Sequence, residues 1–346
     1  MTKVQTVVGQ IDSSEMGICL THEHILNDVK SWWCRTQQPG IDPDEFRDTP
    51  VSMEILWELR QDPFGNIDNL GMNDLEVAAQ ELERFSSFGG VTVLEATSVS
   101  IGRDLPGLRE ISKKTGLNII AGTGLYLDAS MTEEQRNMSV NQIFDLIQED
   151  LAQGSGGCLP GFIGEIGVSS DFTEAEKRSL RAASRVQVTS GLPMQVHLPG
   201  WFRIAHEVLD VCQDEGVDLR NVVLCHMGPS GEDTEYQQSV AARGAWIQFD
   251  MIGMEVFYAD QGVQCPSDED NARYLMSLVN RGFADRLLVS QDIFLKSLLR
   301  RFGGPGYGHI LQYFAPRLFR HGATPDLLEQ LTIHNPKKLF DHAKGE

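Results

Sequence analysis

Four histidines and two carboxylates of this sequence fall where a β-strand would give way to a loop. His22 and His24 share GICLTHEH (17–24) at a spacing of i, i+2, and a strand puts both imidazoles on one face. His197 ends PMQVHL (193–198), His226 lies at the close of NVVLCHMG (221–228), Glu165 comes late in GFIGEIG (161–167), and Asp292 closes RLLVSQD (286–292). An isolated HxH is weak evidence, because surface or core coincidence produces it too. The recurrence of hard and borderline metal ligands at one end of successive strands carries the argument. Six donors are more than one tetrahedral ion uses while keeping an open position, so two divalent ions are the economical reading, with Glu165 as their bridge. The competing reading pairs Glu165 with a nearby arginine; the glycines flanking it (GEIG) favour the bridge by allowing close approach. Imidazole and carboxylate suit zinc first, and also manganese, cobalt or iron. His206, His309, His321, His334 and His342 fall in helix or loop segments and are expected to be structural or exposed.

Such a cluster needs a scaffold that brings many strand ends to one place. Besides the five segments above, GVTVLEATS (90–98), NIIAGTGLY (118–126) and AWIQFD (245–250) are rich in apolar and β-branched residues and end in small or polar ones, making eight strand candidates. Helix-like stretches alternate with them, as at 73–89, 173–191 and 269–282, several opening on a capping residue and closing at glycine. Alternation of this kind implies parallel pairing, and eight repeats fit a closed (β/α)8 TIM barrel, α/β in class, in one domain over 1–346. KVQTVVGQIDSSEMG is expected to form a small N-terminal β-hairpin capping the barrel floor. Long loops follow strands 1 and 8. The first carries Trp32 and Trp33 across the mouth, and the GGPGYG run in the second reads as a mobile cover.

The formal charge of −20 excludes nucleic acid and anionic membrane as partners, leaving a small-molecule substrate, with a homodimer as the assembly to consider. The segment Lys296 to Arg301 is locally basic and reads as a solvated helix face. Six scattered cysteines without a CxxC pair suit a reducing cytoplasm, and no targeting or membrane-spanning segment is expected. There is no GxSxG elbow, phosphate loop or dinucleotide fingerprint.

THEH, GEIG, VHLPG, CHMG and SQD, in that order, resemble the phosphotriesterase-like branch of the amidohydrolase superfamily over nearly the whole chain. Many members bridge their metals with a carbamylated lysine on strand four; Glu165 in that place resembles the glutamate-bridged subgroup. KVQTVVGQ, AGTGLYLDA, GGPGYGHIL and HNPKKL look closest to the phosphotriesterase-related proteins, whose mammalian member hydrolyses N-acetyltaurine. The resemblance implies that His22, His24 and Asp292 hold the more buried metal, His197 and His226 the more exposed one, with Glu165 shared. It implies a hydrolase whose metal-bridging hydroxide attacks the substrate, with Asp292 as the catalytic proton acceptor and donor.

The substrate is less constrained. Tyr126 matches a tyrosine that lines the pocket of lactonase relatives, or is a core tyrosine. Met251 stands where those relatives have an arginine, a departure that weakens transfer of lactone specificity. Asp250 is either a partner of a metal-holding residue or a helix cap, Glu95 either a partner of a metal-holding histidine or structural, and Trp201 either a pocket wall or a packing residue. The leading expectation is hydrolysis of a small amide (an N-acyl amino compound) or a lactone. Phosphoester hydrolysis is the alternative, favoured if Lys296 faces the metals. A catalytically retired metal- or ligand-binding barrel is the third.

Overall fold

A computed structural model describes residues 2–343. Eight strands form one parallel sheet in consecutive order: β1 (Ile18–Glu23), β2 (Gly90–Glu95), β3 (Asn118–Thr123), β4 (Phe162–Ile166), β5 (Met194–Val196), β6 (Val222–Leu224), β7 (Trp246–Phe249) and β8 (Leu287–Val289). The ends of the sheet meet and nearly close a TIM barrel. There the Asp292 amide donates to the His22 carbonyl (3.2 Å), the Thr21 hydroxyl to the Val289 carbonyl (3.2 Å) and the His22 amide to the Ser290 hydroxyl (2.9 Å). The strands read as near-continuous apolar runs because both faces are covered, the interior by side chains and the exterior by helices.

The helices packed around the sheet include α1 (Leu75–Ser87), α2 (Leu105–Thr115), α3 (Val140–Gln153), α4 (Glu174–Ser190), α5 (Ala205–Asp214), α6 (Thr234–Ala241), α7 (Asp268–Asn280) and α8 (Ala315–Arg320). Their starts carry the expected chemistry. Asp74 caps α1, while Ser139 with Gln142 and Thr173 with Glu176 form capping boxes on α3 and α4. Gly191 stops α4 at φ +62°, where other residues are strained. Each helix buries an apolar face on the sheet, through residues such as Leu82, Leu108, Ile147, Leu180, Val208 and Leu275. Among the described residues no helix is long and apolar enough to cross a membrane.

The N-terminal hairpin is present, Lys3–Thr6 pairing with Gly9–Asp12. Its Val4 joins Met16, Cys19, Leu94, Ile120, Phe162 and Phe340 in a buried cluster that plugs the barrel floor, Phe340 coming from a C-terminal helix, α9 (Asn335–Ala343). At the mouth, the loop after β1 brings in Trp32 and Phe64, while Trp33 turns away and donates to the Gly65 carbonyl.

The glycine run after β8 departs from expectation. It is not a cover. Tyr307 is buried and its hydroxyl donates to the His24 carbonyl (2.8 Å), and the Gly306 carbonyl accepts from Gln291 Nε2 (3.0 Å), so the segment buttresses the strand ends from behind. The basic segment beside it forms two short 3-10 turns instead of a solvated helix face. Its Lys296 ammonium bonds Asp68 (2.6 Å), and the Arg300 and Arg301 amides donate to Glu81.

Candidate metal centre

All six residues singled out from the sequence converge at the C-terminal mouth. His22 lies within β1 and Glu165 within β4; His24, His197, His226 and Asp292 follow the ends of β1, β5, β6 and β8. His226 (φ +57°) and Asp292 (φ +50°) adopt left-handed backbone, which turns their side chains over the barrel axis at a cost of about 1 kcal/mol or more each. Gly164 (φ +124°) permits the approach of β4 to β5, since a Cβ there would meet the Gln195 carbonyl oxygen at 2.6 Å.

Glu165 sits in the centre. Its Oε1 is 2.9 Å from His226 Nε2, 3.2 Å from His197 Nδ1 and 3.6 Å from His22 Nε2, and its Oε2 is 4.0 Å from His24 Nε2. Asp292 Oδ1 lies 3.3 Å from His24 Nε2 and 3.6 Å from His22 Nε2. No arginine pairs with Glu165 among the described residues. His206, His309, His321 and His342 instead bond Ser239, Asp268, Glu269 and Asp218.

A surrounding layer fixes how the imidazoles present their nitrogens. Gln195 Nε2 donates to the Thr21 carbonyl (2.8 Å), so its Oε1 must accept from His22 Nδ1–H (2.9 Å), leaving the His22 Nε2 lone pair free. Thr97 donates to Glu95 Oε1 (2.5 Å) and thereby accepts from His24 Nδ1–H (2.9 Å). Asp250 accepts from His226 Nδ1–H and from the His226 amide, both at 3.0 Å. These bonds resolve two open readings: Asp250 holds a histidine and caps no helix, and Glu95 acts on His24 through Thr97. His197 is the exception, directing Nδ1 inward, with the Tyr126 hydroxyl 3.0 Å from that nitrogen.

The arrangement fits cations. His22 Nε2 and Glu165 Oε2 are buried without a hydrogen-bond partner, a costly state that an ion would relieve. Two groups have converging ligand atoms of the expected types: His22, His24 and Asp292, and His22, Glu165 and His226, with His197 joining through its contact to Glu165. A third group joins His22 to Cys225 and Asp250, but Asp250 already accepts from His226 and Gln248, and Cys225 Sγ from Gln248 Nε2, in the layer around the centre. Burial works against charge on Glu165, yet the His22 and His197 imidazoles that face it outweigh burial and hold its carboxyl well below the usual range. Burial likewise opposes a charged His226, but Asp250 and Glu165 lift its pKa well above normal, the mark of a site whose field favours positive charge.

The phosphotriesterase family model matches residues 2–340. The chain belongs to that family. Membership makes it a hydrolase. It is 34% identical over 341 residues to N-acetyltaurine hydrolase of Danio rerio, covering 97% of each chain. Among solved structures, a resiniferatoxin-binding protein from Rhodobacter sphaeroides superposes with a TM-score of 0.96 at 48% identity, covering 99% of this chain and 96% of that one. The phosphotriesterase homology protein from Escherichia coli, with phosphate in its active site, gives 0.78 at 26% identity, covering 95% and 100%.

Within this family member, the cluster forms the base of a cavity of about 330 Å³. Tyr126 and Met251 both line it, as does Trp201, whose Nε1 bonds the Gln264 carbonyl (3.4 Å). Trp32 stacks on Tyr126 with centroids 5.8 Å apart and planes 15° from parallel. Sequence reasoning passed over Gln195, Thr97, Phe64, Tyr258 and Phe294. Gln195 carried a usable signal: QVH repeats the i, i+2 spacing of HEH and therefore shares a face with His197. The aromatic residues carried none, because loop paths bring them together.

Proposed function

We propose that this protein hydrolyses the carbonyl of a small amide or lactone, using two divalent cations held by His22, His24, Glu165, His197, His226 and Asp292. The observation that carries the reading is the convergence of four imidazoles and two carboxylates at the base of the cavity, with a lone pair on His22 and an oxygen of Glu165 left unbonded. When bound, the cations would make water nucleophilic near neutral pH and polarise the carbonyl. Asp292 accepts a proton from the attacking water and passes it to the leaving nitrogen or ring oxygen as that bond to carbon breaks and the new C–O bond forms. Tyr126 and Met251 shape the space above the carbonyl. Zinc is the first metal to load. The six cysteines are all free, which suits the reducing cytoplasm.

The condition that would favour phosphoesters is not met: Lys296 is tied to Asp68 and does not line the cavity. The test is product release by zinc- or manganese-loaded protein from N-acyl amines, γ-lactones and phosphoesters, with Asp292→Asn as control. Turnover of amide or lactone by wild type, reduced roughly 10²–10⁴-fold in the variant with metal still bound, is expected. Turnover confined to phosphoesters would overturn the reading, and stoichiometric metal with no turnover of any class would favour a retired barrel.

A further inference from the structure

The cavity above the six residues has a chemistry of its own. Trp32, Phe64, Tyr258 and Phe294 form a continuous aromatic wall: centroids lie 5.5 Å apart for Trp32 and Phe64, 6.0 Å for Trp32 and Phe294, and 4.9 Å for Phe64 and Tyr258. Among the described residues, no lysine or arginine lines this space. The cations whose chain neighbours reach it are engaged elsewhere: Lys30 with Asp28 (2.8 Å), Arg203 with Asp233 (3.3 Å) and, across from Leu127, Arg136 with Asp128 (2.5 Å). The charged side chain that does stand at the rim is Asp260, exposed, with Gln261 as its hydrogen-bond partner and no cation in ion-pair range among the described residues.

An anionic group held against this wall, away from the metal centre at the base, would leave its hydration shell, find no cationic side chain and meet a like charge at the rim, whereas a flat apolar group gains ring contact and loses little. We infer that the part of the substrate filling the cavity is uncharged and aromatic or otherwise apolar, and that a sulfonate, carboxylate or phosphate there is selected against. This rests on the carbonyl-hydrolase reading, because it assumes that the carbonyl sits at the metal centre and sends its larger substituent up the cavity. It sets the chain apart in specificity from what the name of its N-acetyltaurine-hydrolysing relatives describes.

The test compares three amides that differ at one end: N-acetyltaurine, its neutral methyl sulfone isostere, and N-acetyl-2-phenylethylamine. A second set carries the same end groups on the acyl side. With zinc-loaded protein, kcat/KM should rank phenyl above methyl sulfone above sulfonate, the last two separated by about tenfold at low salt. Asp260→Lys should narrow that gap, and Trp32→Ala should cost the phenyl compound most. Tryptophan fluorescence titrations of the same compounds, with and without zinc, give the ranking without turnover. If no compound of either set is hydrolysed but binding follows this order, the amide reading fails while the cavity assignment stands. Sulfonate equal to or better than its neutral isostere, in turnover or in binding, overturns the assignment.

Discussion

The free lone pair on His22 Nε2 depends on a residue that touches no substrate. Gln195 can accept from His22 Nδ1 because its own amide nitrogen is committed to the Thr21 carbonyl, and Cys225 and Gln248 continue that polar layer across the barrel. Gln195→Leu keeps the volume but leaves His22 Nδ1–H unpaired in a dry interior and frees the ring to change tautomer. We expect metal affinity to fall roughly 10–100-fold, measured by competition with a chelator. An affinity within twofold of wild type would show that packing alone orients His22. The six central residues were legible because four of the nine histidines, with one glutamate and one aspartate, recur at the ends of successive strand candidates. Gln195, Thr97 and Asp250 were harder, since glutamine, threonine and aspartate have many other uses and only their partners reveal which applies.

The strands themselves were legible as apolar runs, and all eight occur within the expected segments. Their ends were not. His197, His226 and Asp292 read as terminal strand residues, but they lie beyond the last ladder pairs, where left-handed backbone at two of them replaces the extended chain. Histidine and aspartate adopt such backbone more readily than most residues, but too seldom for residue type to announce it. The glycine run after β8 misled for a related reason: glycines that looked like freedom serve close packing, and a Cβ on Gly304 would collide with the Leu298 carbonyl. Tyr307→Phe removes one hydrogen bond to the His24 carbonyl and should cost about 0.5–1.5 kcal/mol in urea unfolding, with weaker metal retention. No loss in either would mean that the ring, and not the hydroxyl, anchors the segment. Between helices, Glu215 after α5 accepts from Arg181 and Arg185 of α4, both at 2.7 Å. The Arg185 bond leads the causes that lower its pKa below the ordinary 4.5, so this stabilisation is present above pH 4.5 and lost as pH falls through the lower folded value. Because the arginines are about 40% exposed, Glu215→Gln should cost no more than about 1 kcal/mol at pH 7 and nothing in strong acid; equal costs at both pH values would point to packing instead.

Across the whole molecule, stability and chemistry occupy opposite ends of one barrel. The mouth holds strained backbone, unbonded polar atoms and buried charge, all of which cost folding energy; the floor holds the tightly buried cluster of Val4, Met16, Cys19, Leu94, Ile120, Phe162 and Phe340. The hairpin and α9 reach that floor from the two ends of the described chain, and the Ser13 hydroxyl joins them by donating to Asp341 (2.7 Å). Phe340 is the large side chain that α9 contributes to the plug, and it is 1% exposed. Phe340→Ala should therefore lower stability by about 3–5 kcal/mol through the cavity it leaves. Metal stoichiometry and kcat/KM, measured well below the unfolding temperature, should stay within about twofold of wild type, because no strand end at the mouth needs to move. Calorimetry and activity on the same preparation separate the two quantities. A variant that loses metal or turnover in proportion to its stability would mean that floor and mouth are one cooperative unit, and that the strain at His226 and Asp292 is sustained by the packing of the entire barrel and not by the layer of Gln195, Thr97 and Asp250 around the centre.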